Sequence, residues 1–198
     1  MKQTHRRDIL CWSRFDPARN LDFHSYVWVR KYGNVAVDPL PLSEHDLEHL
    51  ERLGGVSVVV VTNSDHVRGA EEIAFRFAAE VCGPRGERER FPIHCDRWMG
   101  DGEQVVPGLV ALELNGSKTP GELALVLEET TLITGDLVRA HRGGALDLLS
   151  DEMLTDKPAA LASVRRLEEL PGVEAVLVGD GWPVFDGARA KLGAIIRG

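Results

Sequence analysis

Six side chains able to do charge-based chemistry stand where apolar runs end. Asp38 follows "NVAV", and Asp65 with His66 follow "VSVVVV" and a short polar turn. Lys118 follows "LVALELNGS", Asp136 follows "TLITG", and Asp180 follows "EAVLVG". Where strands share a sheet, their carboxyl ends form the edge at which ligands commonly bind, so position alone points to convergence. Asp136 and Asp180 come from Gly-Asp turns, where glycine permits a tight turn or close backbone approach. Several acids brought together cannot all stay ionised and unpaired: a proton or a cation must balance them. One such Asp by itself reads as a turn former or helix cap; the chemical reading rests on the group.

The elements that must position these residues follow from periodicity. "SYVWVRKYGNVAVDP" alternates around Tyr32-Gly33-Asn34 as a half-buried hairpin. "LSEHDLEHLERLGG" reads as a helix capped by Ser43 and stopped at Gly54-Gly55. The strand "VSVVVV" follows, and "VRGAEEIAFRFAAEVCG" reads as an amphipathic helix ending at Gly83. After the loop "GPRGERERF", the runs "FPIH" and "GEQVVPGLVALELNG" read as two or three strands. "LALVLEETTLITGD" is a second hairpin with Glu128-Glu129 at its bend, and "KPAALASVRRLEELPG" is a third helix with Pro158 in its first turn. A strand, "VEAVLVGDG", and a closing helix, "DGARAKLGAIIRG", complete the chain. Two groups of strands with helices between and after them predict two packed sheets with helix-covered outer faces. The two hairpins count against a doubly wound parallel sheet, and no GxGxxG or P-loop run follows any strand.

With 198 residues, 43% hydrophobic and 27% charged, the chain is expected to form one domain over residues 1–198. A net charge of −8 excludes a general nucleic-acid or anionic-membrane binder, since no basic surplus displaces phosphate counterions. In "GPRGERERF" the arginines alternate with Glu87 and Glu89, the pattern of a solvated loop. Three cysteines without CxxC spacing read as reduced thiols, and Cys95 as a buried, inert one. No apolar run is long enough for a membrane span and no secretory signal opens the sequence, so the cytoplasm is the expected location. His24, His45, His49, His94 and His141 share no metal-like spacing. Arg68 reads as a surface or salt-bridging arginine, and Asp38 as a supporting or turn residue.

The strand-end residues also carry a family resemblance that covers nearly the whole chain. The order "VAVDP", "VTNSDH", "SKTPGE", "TLITGD", "VLVGDG" resembles the motif order of the metallo-β-lactamase-fold hydrolases. In that family the second motif is HxHxDH, the third Gly-His-Thr-Pro-Gly, and the fifth Gly-His-Gly. The resemblance implies an α/β (α+β) fold, a four-layer αββα sandwich with the site along one edge. It also implies departures. Val61, Asn63 and Lys118 stand where histidines of a first metal site would be, so that site is lost. Asp65, His66, Asp136 and Asp180 stand at the second site, a legitimate set for one divalent ion, zinc, manganese, iron or magnesium.

Two readings follow from that resemblance. In the first, the chain is hydrolase-like with at most one divalent metal activating a water. Asp65 and Lys118 are then the catalytic candidates, and Asn63, Lys118 and Trp182 contact a small-molecule substrate of unspecified class. In the second, Lys118 bridges Asp65 and Asp136, no metal is bound, and the protein is a catalytically silent binding or structural member. A homodimer is the base-rate expectation for the assembly.

Overall fold

The computed structural model describes residues 1–198. The amino-terminal half builds a sheet whose strands lie in chain order: β1 (Lys2–Gln3), β2 (Ile9–Asp16), β3 (Leu21–Trp28), β4 (Val35–Val37), β5 (Val58–Val60), β6 (Glu80–Pro84) and β7 (Arg97–Met99). Pairing is antiparallel from β1 to β4 and parallel from β4 to β7. Parallel neighbours need crossovers. Helix α1 (Glu44–Arg52) provides one between β4 and β5, and α2 (Ala70–Phe77) another between β5 and β6.

The second sheet holds β8 (Gln104–Val106), β9 (Leu109–Leu114), β10 (Glu122–Leu127), β11 (Thr131–Thr134) and, after a short ribbon of β12 (Val138–Arg139) and β13 (Asp147–Leu148), β14 (Ala175–Val178). Its order is β14-β11-β10-β9-β8, with β14 parallel to β11. Helices α3 (Lys157–Glu168) and α4 (Ala188–Arg197) cover its outer face.

Local chemistry explains these elements. The triple valine of β5 is buried on both faces, as a parallel central strand requires. Ser43 caps α1 by accepting from the Asp46 amide, and Asp156 caps α3 through the Ala159 amide. Glu128 and Glu129 both take left-handed φ angles, 44° and 61°, and so close the β10–β11 hairpin with a twist that matches its strands. Apolar side chains then pack in three layers. The layer between the sheets includes Tyr26, Leu125 and Leu177; Leu50, Val59 and Ile73 lie under α1 and α2; Leu114, Val164 and Leu192 lie under α3 and α4. This is the αββα sandwich that the sequence resemblance implies. No helix is long and apolar enough to cross a membrane.

Four local expectations are corrected. The second helix does not reach Gly83: Ala78 turns left-handed at φ 50°, and Glu80–Pro84 enters the sheet beside β5, burying Val81 and Cys82. Helical periodicity over that stretch is real, but sheet pairing overrides it. "FPIH" is not a strand; β7 forms later, at Arg97–Met99. The amino-terminal "ILCWSRFD", for which no strand is expected, pairs with β3 over eight residues. The "GERER" stretch is not uniformly solvated, because Glu87 is buried and accepts from the Ser64 amide at 3.1 Å.

At one end the two sheets are laced together. The His24 amide donates to the Gly179 carbonyl at 2.9 Å, the Gly181 amide to Asp22 at 3.0 Å, and the Leu123 amide to Thr62 at 2.9 Å. The buried Tyr26 hydroxyl crosses the interior to the Val178 carbonyl at 2.8 Å. These bonds tie β3 to the carboxyl end of β14 and the start of β10 to the carboxyl end of β5, and the charged residues stand at that edge.

Candidate functional site

After β5 the chain turns through Asn63 into a single 3-10 turn, Ser64–His66. The Asn63 side-chain oxygen accepts from the Asp65 amide at 3.0 Å, while its nitrogen donates to Asp136 Oδ2 at 3.0 Å. That turn aims the buried His66 ring between two acids: Nδ1 lies 2.7 Å from Asp38 Oδ2 and Nε2 lies 3.4 Å from Asp136 Oδ2. An imidazole with a carboxylate facing each nitrogen is favoured as the imidazolium, hydrogen-bonded to Asp38 and held by the charge of Asp136. Burial opposes that charge, yet Asp38 and Asp136 outweigh it and raise the His66 pKa to about 9. Asp38 is fixed in turn by the Thr62 amide at 2.7 Å and hydroxyl at 2.6 Å, and it adopts φ 46° to meet them. It is therefore a supporting residue, one step behind His66.

Asp136 is the hub. Its Oδ2 is 2.9 Å from Lys118 Nζ and its Oδ1 is 3.1 Å from Arg139 Nη2, in addition to the Asn63 and His66 contacts. Burial would raise its pKa; His66 and Lys118 prevail and hold it well below the usual carboxylate range. Lys118 Nζ also sits 2.5 Å from Asp65 Oδ2, so one ammonium joins both acids. Burial works against that ammonium, and Asp136 with Asp65 still raises its pKa.

Asp180 faces elsewhere. Its Oδ2 meets His141 Nε2 at 2.9 Å; its Oδ1 is buried without a hydrogen-bond partner, with Arg139 Nε 3.8 Å away. Both Gly-Asp turns need their glycines. A Cβ at Gly135 would lie 2.8 Å from Asn63 Nδ2, and one at Gly179 would lie 2.8 Å from His66 Cε1. Behind Asp136, the fully buried Glu122 accepts from the Leu137 amide at 2.8 Å and from the Ser117 hydroxyl at 2.5 Å. Burial, then the neighbouring Asp136, pushes its pKa up to about 7.

The sequence-predicted residues thus divide. Asn63, Asp65, His66, Lys118 and Asp136 are brought together, whereas Asp180 is joined to them only through Arg139. Trp182 is exposed and lines a separate cavity of about 250 Å³ with Phe15 and His141. Arg139 and Glu122 take part without having been singled out, and His141 and Arg68, read from the sequence as lying outside the site, take part as well. Arg68 is neither a surface nor a salt-bridging residue: half-buried, it donates to the His24 carbonyl at 2.9 Å and lies over the Phe23 ring. The "RAH" that follows the Gly-Asp turn was the available signal for Arg139 and His141, three and five residues after Asp136.

These residues do not fit a divalent ion as they are arranged. A ligand histidine must offer a nitrogen lone pair, and both His66 nitrogens face carboxylates. The Asp136 oxygens and Asp65 Oδ2 already take cations and N–H donors from the protein. No group of three or more His, Cys, Asp or Glu side chains is placed to hold a metal. The charges also balance internally: Asp38, Asp65, Asp136 and Asp180 stand against Lys118, Arg68, Arg139 and the His66 imidazolium. A further two positive charges in this half-buried place would be unmatched.

Comparison with known proteins places the architecture. The chain is 26% identical over 173 residues to the hydroxyacylglutathione hydrolase of Acidiphilium cryptum, a match covering 84% of this chain and 68% of that protein. Its fold superposes on the metallo-beta-lactamase from Pontibacter korlensis with a TM-score of 0.72 at 18% identity, covering 96% and 94% of the two chains. It also superposes on TTHA1623, crystallised in a di-iron-bound form, with a TM-score of 0.70 at 20% identity, covering 91% and 98%. The sequence model of the metallo-beta-lactamase superfamily matches residues 1–197, and the chain belongs to that superfamily.

Proposed function

We propose that this protein is a metal-independent member of its hydrolase-like superfamily, a small-molecule binding protein in which the Lys118 ammonium takes the place of a metal charge. The observation that carries this reading is the position of Lys118 Nζ, 2.5 Å from Asp65 and 2.9 Å from Asp136. A tethered cation at that point neutralises the acids that would otherwise draw a divalent ion. The His66 imidazolium and Arg139 complete the neutralisation from the buried side. Hydrolysis by a metal-activated water would require the ammonium to leave and His66 to give up its proton, against both charges that hold it.

One observation favours the other reading, a hydrolase with a single divalent metal at Asp65, His66, Asp136 and Asp180. Asp180 Oδ1 is buried and unpartnered, which is what a carboxylate oxygen awaiting a ligand looks like. The likeness to a hydroxyacylglutathione hydrolase adds weight to hydrolysis of an ester or thioester in that case. Elemental analysis separates the two. Untagged protein is measured as purified and after dialysis against zinc, manganese and magnesium, beside an Asp136→Ala, Asp180→Ala double variant. The proposal expects no stoichiometric metal in the parent; near-stoichiometric metal that disappears in the variant would overturn it.

A further inference from the structure

A cleft of about 470 Å³ opens directly over the Lys118 network, and its walls are built from Arg19, Phe23, Leu40 and Arg68 together with the network itself. Arg68 is the unusual wall. Its guanidinium is half-buried yet forms no ion pair: Nη1 donates to the carbonyls of His24 and Asp38, at 2.9 and 3.5 Å, and its Cζ lies 5.3 Å from the Phe23 ring centre. The backbone at Arg68 is left-handed, φ 39°, a conformation that a branched or long side chain adopts at a cost. Arg19 approaches the same ring at 5.7 Å, and its one acid, Asp16, is a loose 3.9 Å away. Two guanidinium groups thus converge on one aromatic ring with most of their N–H donors unclaimed.

We propose that this cleft binds a small organic carboxylate, its charged end on Arg68 and Arg19 and its apolar body against Phe23 and Leu40. This deepens the metal-independent reading and rests on it, because the ligand takes its charge from arginines and not from a metal. A guanidinium fork matches a carboxylate in both geometry and charge. The apolar part of the lining selects an organic carboxylate over phosphate. Phe23 and Leu40 supply the contact area that a phosphate ion would leave unused.

The test uses the full chain, isotopically labelled for amide NMR and titrated with phenylacetate, with phenylacetamide and with inorganic phosphate. The expected result is saturable phenylacetate binding that perturbs the amides of Arg19, Phe23 and Arg68, with phenylacetamide and phosphate at least about tenfold weaker. Arg68→Gln is expected to weaken phenylacetate about tenfold or more. Arg19→Gln, on an exposed side chain that the fold does not need, is expected to weaken it several-fold. Absence of saturation at ~10 mM phenylacetate, equal binding of the amide, or binding unchanged in Arg19→Gln would overturn the inference. Zinc added to separate samples judges the metal-independent reading on its own. Stoichiometric uptake with perturbation at His66 and Asp136 sinks that reading, whichever way phenylacetate behaves.

Discussion

Replacing Lys118 by methionine removes the ammonium while keeping most of the aliphatic stem. Breaking a fully buried ion pair by removing one partner costs about 3–5 kcal/mol. Two features of this site lower the figure. Asp65 is exposed over more than half its side chain, so water recovers that carboxylate. Asp136 retains Asn63 at 3.0 Å, Arg139 at 3.1 Å and His66 at 3.4 Å. The expected loss is therefore about 2 kcal/mol, which for a chain of this length lowers Tm by roughly 4–8 °C. The variant also leaves Asp65 and Asp136 short of one cation, so millimolar manganese or zinc should restore part of the loss. A divalent ion present at about ten times its Kd would return about 1.4 kcal/mol. The assay is thermal unfolding of parent and Lys118→Met, with and without metal. Two outcomes would refute the reasoning: a variant as stable as the parent, or a parent that gains as much from metal as the variant does.

Three further outcomes follow from the same geometry. His66 has a folded pKa of about 9 against an ordinary 6.5. The stability it confers, roughly 3 kcal/mol, is fully present below about pH 6.5 and is lost as pH rises through 9. Unfolding measured from pH 7.5 to 10 should show that fall in the parent and lose most of it in His66→Gln. Glu122, held up to about 7, should act one window lower: Glu122→Gln is expected to match the parent near pH 5 and exceed it at pH 8, in chemical denaturation at both values. Gly179→Ala puts a methyl against His66 and should cost about 1–3 kcal/mol. The double variant with His66→Ala should recover part of that cost, and strict additivity of the two would contradict the predicted clash.

How much of this could be read beforehand depended on whether a feature is local. Ser43, the Glu128-Glu129 bend and Pro158 announce their elements through short-range chemistry, and each element forms where they predict. The strand β6 could not be read, because "AAEVCG" continues a helical period and only its neighbour β5 makes it a strand. Within the site, the residues at strand ends were legible because a carboxyl edge gathers them. Their partnerships were not. That Asp180 turns to His141 and not to His66 depends on the β12 ribbon, two residues long, whose end is bridged to Gly181 through Ala140. That Arg68 faces inward depends on the carbonyls of His24 and Asp38, which belong to distant strands.

The lysine at the hub has a consequence for how the protein lives with its surroundings. An ion drawn from solution stabilises a fold only in proportion to its free concentration, and it can be competed away. Lys118 is carried by the chain, between β9 and β10, so its effective concentration at Asp136 is set by the backbone and does not vary. A strand-end site neutralised in this way is complete as soon as the two sheets close. Its integrity is then independent of metal supply, and the same state persists through scarcity and excess alike.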